Sequence, residues 1–220
     1  MSIEREARFL ILDDSARRAV VRLRALDGFH FVQLRRERQQ NTYLDTGDLR
    51  LRRARSVLKL RRVGGRRRVE VTFKHSLGVR RGVAHRLEVT ARIQPSQVAR
   101  VLAGTMNIPP RRRAASLIGR RALRALFTLR TDRTILVMRD GRARVELDVD
   151  VVTFRAGGRV RARRVELEVE NLNAPPDAFA RAVKAVRRRF GKAVRPTRES
   201  KFEYGLRLVK RRGRSGLAYV

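Results

Sequence analysis

Residues 164–171 read RVELEVEN. Glu166, Glu168 and Glu170 recur at every second position, with Val165, Leu167 and Val169 between them. A period of two belongs to a strand, which sends the carboxylates to one face and the aliphatic side chains to the other. Three like charges along one face repel, so something positive must sit opposite them. The same duality recurs upstream. In RARVELDVD (142–150), Glu146, Asp148 and Asp150 alternate with Val145, Leu147 and Val149. In IEREARF (3–9), Glu4, Glu6 and Arg8 share a face. In the middle of the chain the polar face turns basic: Lys59 and Arg61 oppose Leu58 and Leu60, and Lys74 with Glu70 opposes Val71 and Phe73. Arg86 and Glu88 oppose Leu87 and Val89.

Extended runs of this kind fall at 3–12, 31–44, 56–63, 67–75, 83–92, 127–139, 142–154 and 161–170. The Gly64-Gly65, Asp140-Gly141 and Gly157-Gly158 pairs mark hairpin turns between neighbouring runs. Helical patterns lie at 13–26, with Asp13, Asp14 or Ser15 as start signals and Gly28 as a stop, at 96–103, at 114–124 after Pro109-Pro110, and at 176–190. About eight strands joined by short turns predict an α+β fold built on an antiparallel sheet closing on itself.

Two architectures satisfy the alternation. In an open sheet the apolar face packs on helices and the charged face is solvated. In a barrel the apolar face points outward under helices, and the charged face lines a wet interior. Mixed charges inside a barrel are costly unless they are paired, metal-bound or occupied by a ligand. A solvated face scatters its charges. Here the acids gather on the first and last two strands and the bases on the middle ones, which favours a site.

The 220 residues carry a formal net charge of +34, with 55 Lys and Arg against 21 Asp and Glu. Only six of the bases are lysine, so the excess is arginine. That excess is either a compositional bias spread over a surface or a sign of a polyanionic partner, a nucleic acid, polyphosphate or nucleotide. The lack of Trp and an aromatic content of 5% argue against stacking platforms for single-stranded nucleic acid. No cysteine means no disulfide framework and no thiolate metal site. The charged start MSIEREAR shows no signal-peptide pattern, and no apolar run suits a membrane helix, so the expected address is the cytoplasm.

Carboxylates from three strands without accompanying His or Cys suit a hard cation such as Mg²⁺ or Mn²⁺ rather than zinc. Bases converging from separate strands, Lys59, Arg61, Lys74, Arg86, Arg130 and also Arg133, suit a polyphosphate. Three of the six lysines, Lys59, Lys74 and Lys201, fall at such positions.

The ordered set E-x-E-x-R at 4–8, YLDTGDLRL, LKLRR, VTFK, RLEV, VELDV, VELEVE and SKFEYG resembles the CYTH family, the triphosphate tunnel metalloenzymes, over roughly residues 2–207. The resemblance implies an eight-stranded antiparallel closed β-barrel, or tunnel, with flanking helices over 1–206, followed by a basic C-terminal tail at 207–220. It implies metal-dependent hydrolysis of a triphosphate, inorganic tripolyphosphate first, with adenylate cyclase, thiamine triphosphatase or a non-catalytic polyphosphate or nucleic-acid binder as alternatives. By the same likeness Glu4, Glu6, Asp148, Glu166 and Glu168 hold Mg²⁺ or Mn²⁺, with Glu170 or Glu146 as further members. Arg8, Lys59, Arg61, Lys74, Arg86, Arg130 and Lys201 bind phosphate, and Arg8 and Lys201 carry the catalytic roles. Two positions depart from the family pattern: Arg8 stands where a lysine is usual, and Lys59 where an arginine is usual. An arginine stays protonated and cannot act as a base, although it still holds a phosphate.

Overall fold

Residues 2–119 and 121–210 are described by the computed structural model of the chain. The strands are β1 (Ser2–Ile11), β2 (Ala25–Leu26), β3 (Phe29–Asp45), β4 (Ser56–Val63), β5 (Val69–Arg80), β6 (Val83–Ile93), β7 (Arg124–Asp140), β8 (Ala143–Ala156), β9 (Arg159–Asn171) and β10 (Val194–Pro196). The helices are α1 (Asp14–Val21), α2 (Arg50–Arg53), α3 (Val98–Ala103), α4 (Pro109–Ile118), α5 (Pro176–Phe190) and α6 (Lys201–Lys210). Eight strands close a ring in the order β1-β6-β5-β4-β3-β7-β8-β9, and β9 pairs back onto β1. Every neighbour is antiparallel, and the fold is the eight-stranded closed barrel with helices outside it. Closure leaves no unpaired edge in the ring, which removes the aggregation liability of an open sheet.

The alternation decides which face goes where. Val145, Leu147, Val149, Leu167 and Val169 point outward and pack with Ala7, Phe9, and Ala182 and Val186 of α5. Leu58, Leu60, Val71 and Phe73 do the same under Val101 of α3 and Ala114 and Ile118 of α4. Each fully buried aliphatic side chain in these layers contributes about 1.5–3 kcal/mol, so the helices hold the barrel from outside and leave its charged face inside.

A third cluster lies on the inner face. Phe202 and Leu206 of α6 pack on Tyr43, Phe127, Leu129, Val152 and Phe154, covering the inner face at that end of β3, β7 and β8. Gly205 makes the approach possible, because a Cβ there would overlap the Phe127 ring. The sequence pattern did not reveal α6. Its signal was S-x-x-E: Ser200 Oγ accepts the Glu203 N–H at 3.1 Å, the N-terminal cap of the helix. Arg207–Lys210 continue α6 instead of opening a tail; the remainder of the expected basic tail, 211–220, lies outside the described residues.

Two other boundaries differ from expectation. Helix α1 stops at Val21, because Asp27 and Gly28, both at positive φ, form the two-residue turn of a β2–β3 hairpin rather than a helix stop. Helix α4 begins on Pro109 itself, since a proline in the first turn lacks only an N–H that the helix does not use, and the chain has entered β7 by Arg124. In the YLDTGDLRL segment, buried Asp45 accepts from the backbone N–H groups of Thr46, Leu51 and Arg52, fixing the turn that launches β4 and its Lys59. No helix among the described residues is long and apolar enough to cross a membrane.

Candidate active site: a tunnel with an acidic and a basic wall

The barrel encloses a cavity of about 540 Å³ lined by twelve basic and ten acidic side chains. The interior is therefore close to neutral, and most of the +34 lies elsewhere.

The acids of β1, β8 and β9 stand in rungs set by register. Glu6, Glu170 and Glu146 lie side by side on three adjacent strands. Arg8, Glu168 and Asp148 form the next rung, and Glu166 and Asp150 pair on the one after. Two cations answer the ladder of 164–171. Arg133 of β7 clamps Asp150 with Nε at 2.7 Å and Nη2 at 2.6 Å, reaches Glu168 at 2.9 Å, and pairs with Asp148. Lys201, the first residue of α6, lies 2.6 Å from Glu168, 2.8 Å from Asp150 and 3.4 Å from Glu166. Burial works against the charge on Lys201, but these three carboxylates outweigh it and hold the ammonium well above the usual lysine range. Burial also opposes ionisation of Glu168, yet Lys201 and Arg133 bring its carboxyl well below the usual range.

The first rung is not neutralised in the same way. Burial, then the nearby Glu4 carboxylate, pushes Glu170 up to about 8, and no cation among the described residues pairs with it. Burial also pushes Asp148 well up, and its Oδ1 is buried without a hydrogen-bond partner. Oxygens from Glu146, Asp148 and Glu170 come within 4.8 Å of one another. All-oxygen donors, an orphaned carboxylate oxygen and mutual repulsion fit a hard divalent cation.

The opposite wall is basic. Lys74 donates to both oxygens of Glu4 at 2.7 Å and lies 2.9 Å from Glu88. Arg86 pairs with Glu6 and, at 3.8 Å, with Glu4. Lys59 differs: it is buried and has no carboxylate partner among the described residues. Burial first, then Arg61 and Lys74, depresses its ammonium well below the usual range. Arg61 donates from Nε to Asn41 Oδ1 at 3.0 Å and takes no carboxylate either. On the barrel strands, Lys59 and Arg61 are thus the cavity cations whose charge is not already spent on acids; exposed Arg55 and Arg198, which also line the cavity, pair with none among the described residues either. Arg8 is buried beside the ladder, opposite Glu168 in register, 3.4 Å from Glu6, and donates to the Arg198 carbonyl at 2.8 Å.

Among the expected site residues, Glu4, Glu6, Arg8, Lys59, Arg61, Lys74, Arg86, Glu168 and Lys201 line the tunnel together, and Asp148 sits in the wall behind them. Two do not join as expected. Arg130 is on the outward face of β7, exposed, because inward positions on that strand are odd-numbered; Arg133 is the inward arginine. Glu166 is fully buried on the rung farthest from the carboxylate triad, accepts from Arg164 at 2.6 Å, and does not group with it. Glu146 and Glu170 take that place. Sequence reasoning missed Asn41 and Thr131, neutral tunnel residues without a charge pattern to mark them; Thr131 Oγ1 is buried without a partner.

A family model for the CYTH domain matches residues 2–196. No curated protein gives a significant match. Among solved structures, an adenylyl cyclase candidate from Hippeastrum with a dominant triphosphatase activity superposes with a TM-score of 0.66 at 21% identity, covering 93% of this chain and 95% of that one. An adenylate cyclase candidate from Bacillus halodurans gives 0.62 at 18%, covering 90% and 95%. A Pyrococcus horikoshii protein gives 0.52 at 16%, covering 88% and 95%. At these identities the likeness is one of fold.

Proposed function

The chain belongs to the CYTH domain family, and on that premise we propose that its tunnel hydrolyses a triphosphate, inorganic tripolyphosphate foremost, with a divalent metal. One observation carries the reading: a single cavity faces the carboxylate triad Glu146–Asp148–Glu170 with cations, and the two that β4 places inside the barrel, Lys59 and Arg61, have no carboxylate of their own among the described residues.

Lys59 and Arg61 bind the phosphate chain, and Lys74 and Arg86, held by Glu4, Glu6 and Glu88, extend the basic wall beside them. Glu146, Asp148 and Glu170 hold Mg²⁺ or Mn²⁺, and Glu6 beside Glu170 extends the set. When bound, such an ion neutralises charge and polarises the terminal phosphoryl group. Arg8 is held by a backbone carbonyl and Glu6, so it presents a fixed positive charge rather than a proton acceptor. Lys201 stays protonated among three carboxylates, so it orients the acidic wall and does not take a proton. Phosphoryl transfer passes through a loose transition state with little need for covalent help. Positioning and preorganised charge then supply the catalysis, and loss of the usual lysine at position 8 leaves it intact.

Phosphate release from tripolyphosphate, ATP and thiamine triphosphate, each with Mg²⁺ or Mn²⁺, tests the reading. Metal-dependent release with tripolyphosphate as the best substrate is expected. Release from none of the three overturns it, and cyclic AMP from ATP assigns the tunnel to cyclisation instead.

A further inference from the structure

A shallow groove runs outside one mouth of the tunnel, between β3 and the β4–β5 turn. Arg36, Glu37, Arg38, Arg66 and the Gly64-Gly65 pair line it. Glu37 and Arg66 line the tunnel as well, so the two spaces share a wall. That wall is an ion pair, Arg66 Nη2 to Glu37 Oε1 at 2.7 Å, with Arg66 Nη1 3.4 Å from Glu70. Beyond it the cations are less committed. Arg38 is 91% exposed, and its nearest acid, Asp132, is itself 73% exposed at 3.7 Å, a pairing of little strength. Arg36, Arg67 and Arg68 are exposed and pair with no acid among the described residues. At Gly65, φ is +77°, and nothing lies within 4 Å of where a side chain would start, so the turn leaves its backbone open to an approaching chain.

Because Arg66 borders both spaces, a polyanion reaching out of the tunnel past it would meet Arg36 and Arg38 next. The groove has no aromatic side chain to stack a base. Its chemistry suits a chain of bare phosphates better than a nucleic acid.

We propose that this groove is a second anion-binding stretch continuous with the tunnel across Arg66, so that the site takes the end of a linear inorganic polyphosphate longer than three units. The inference rests on the hydrolytic reading of the tunnel. Water adds to the terminal phosphorus and the bond from that phosphorus to its bridging oxygen breaks. The bridging oxygen keeps the electron pair and leaves as the end of a chain one unit shorter. Orthophosphate departs, and the surplus proton passes to solvent.

The test compares tripolyphosphate with long-chain linear polyphosphate, using the wild type and the Arg36→Ala/Arg38→Ala double variant. Both residues lie outside the tunnel. The wild type is expected to release phosphate from both chains. In the variant, KM for the long chain should rise about tenfold, the scale of losing two cations from a polyanion path, while tripolyphosphate kinetics stay within about twofold. Turnover of tripolyphosphate without the long chain overturns the extension and leaves the hydrolytic reading standing. So does a variant that shifts both substrates equally or neither. Preferential release from 5′-triphosphorylated RNA, lost in the variant, replaces polyphosphate with nucleic acid. Release from neither polyphosphate chain fails the hydrolytic reading and the extension together.

Discussion

Buried Lys59 and half-buried Glu170 both lack an oppositely charged partner among the described residues, and each is held towards its neutral form by burial and like-charged neighbours. A triphosphate bound against Lys59 reverses that balance, because an anion favours the ammonium. Binding should therefore take up protons at any pH where free Lys59 is part-neutral, a range that lies below the usual lysine one. Calorimetry in buffers of different ionisation enthalpy would read this as a buffer-dependent binding enthalpy, reduced in Lys59→Met. An enthalpy independent of buffer in the wild type would sink the idea. Glu170 gives the opposite sign. Its folded value of about 8 stands above the unfolded 4.5, so between these the folded state binds more protons than the unfolded one. The stability of the metal-free protein then falls as pH rises through that window and levels off above it. Glu170→Gln removes the buried charge. In metal-free buffer it should match the wild type at pH 5 and exceed it at pH 9 by roughly 1–4 kcal/mol, an upper bound being set by the size of the shift. The same variant should lose most of the rise in Tm that Mn²⁺ gives the wild type. Melting curves at the two pH values, with and without Mn²⁺, decide it; a variant less stable than wild type at pH 9 overturns the assignment.

On a strand, phase matters more than composition. Arg130 and Arg133 are three apart on β7, and only one of two such positions can face inward. The alternation in 142–150 and 164–171 was legible because apolar residues occupy every second position without a break. Around 127–135 the run is FTLRTDRTI, where Thr and Arg fall on both faces, so the phase was hidden until pairing with β3 and β8 set it. The same limit applies to the acids. That carboxylates share a face could be read directly, but which of them meet depends on register between β1, β8 and β9, which places Glu146 and Glu170 together and Glu166 two rungs away. The consequence for substitution is sharp. Arg133→Leu leaves Asp148, Asp150 and Glu168 buried without their clamp and should cost about 3–5 kcal/mol. Arg130→Ala, on the exposed outer face, should stay within about 0.5 kcal/mol and keep full activity. Urea denaturation and phosphate release would measure both, and equal effects from the two would contradict the inward placement of Arg133.

Across the whole molecule, the charge that dominates the composition and the charge that makes the site are different populations. The tunnel is nearly balanced, and most of its cations are fixed by specific acids or by burial, whereas among the described residues the excess arginine sits on the outside of the helices, strands and turns. Net charge could be read from the sequence at once yet said little about the site; the face-by-face separation of acids and bases said much more. Helix α6 was harder to foresee because its inward packing depends on Phe127 and Gly205, far apart in sequence. The two charge populations should respond differently to salt. An outer field of high net positive charge raises the local concentration of a polyanion and speeds its capture, and it is screened beyond about 10 Å at 0.1 M ionic strength. Ion pairs inside the barrel are shielded from that screening by burial. Raising ionic strength with an inert salt should therefore raise KM for tripolyphosphate severalfold and leave kcat within about twofold, because transition-state stabilisation comes from preorganised groups in the tunnel. Steady-state kinetics across a salt series would check it. A kcat that falls in step with kcat/KM would mean that the outer arginines act in the chemical step, and the division between the two populations would fail.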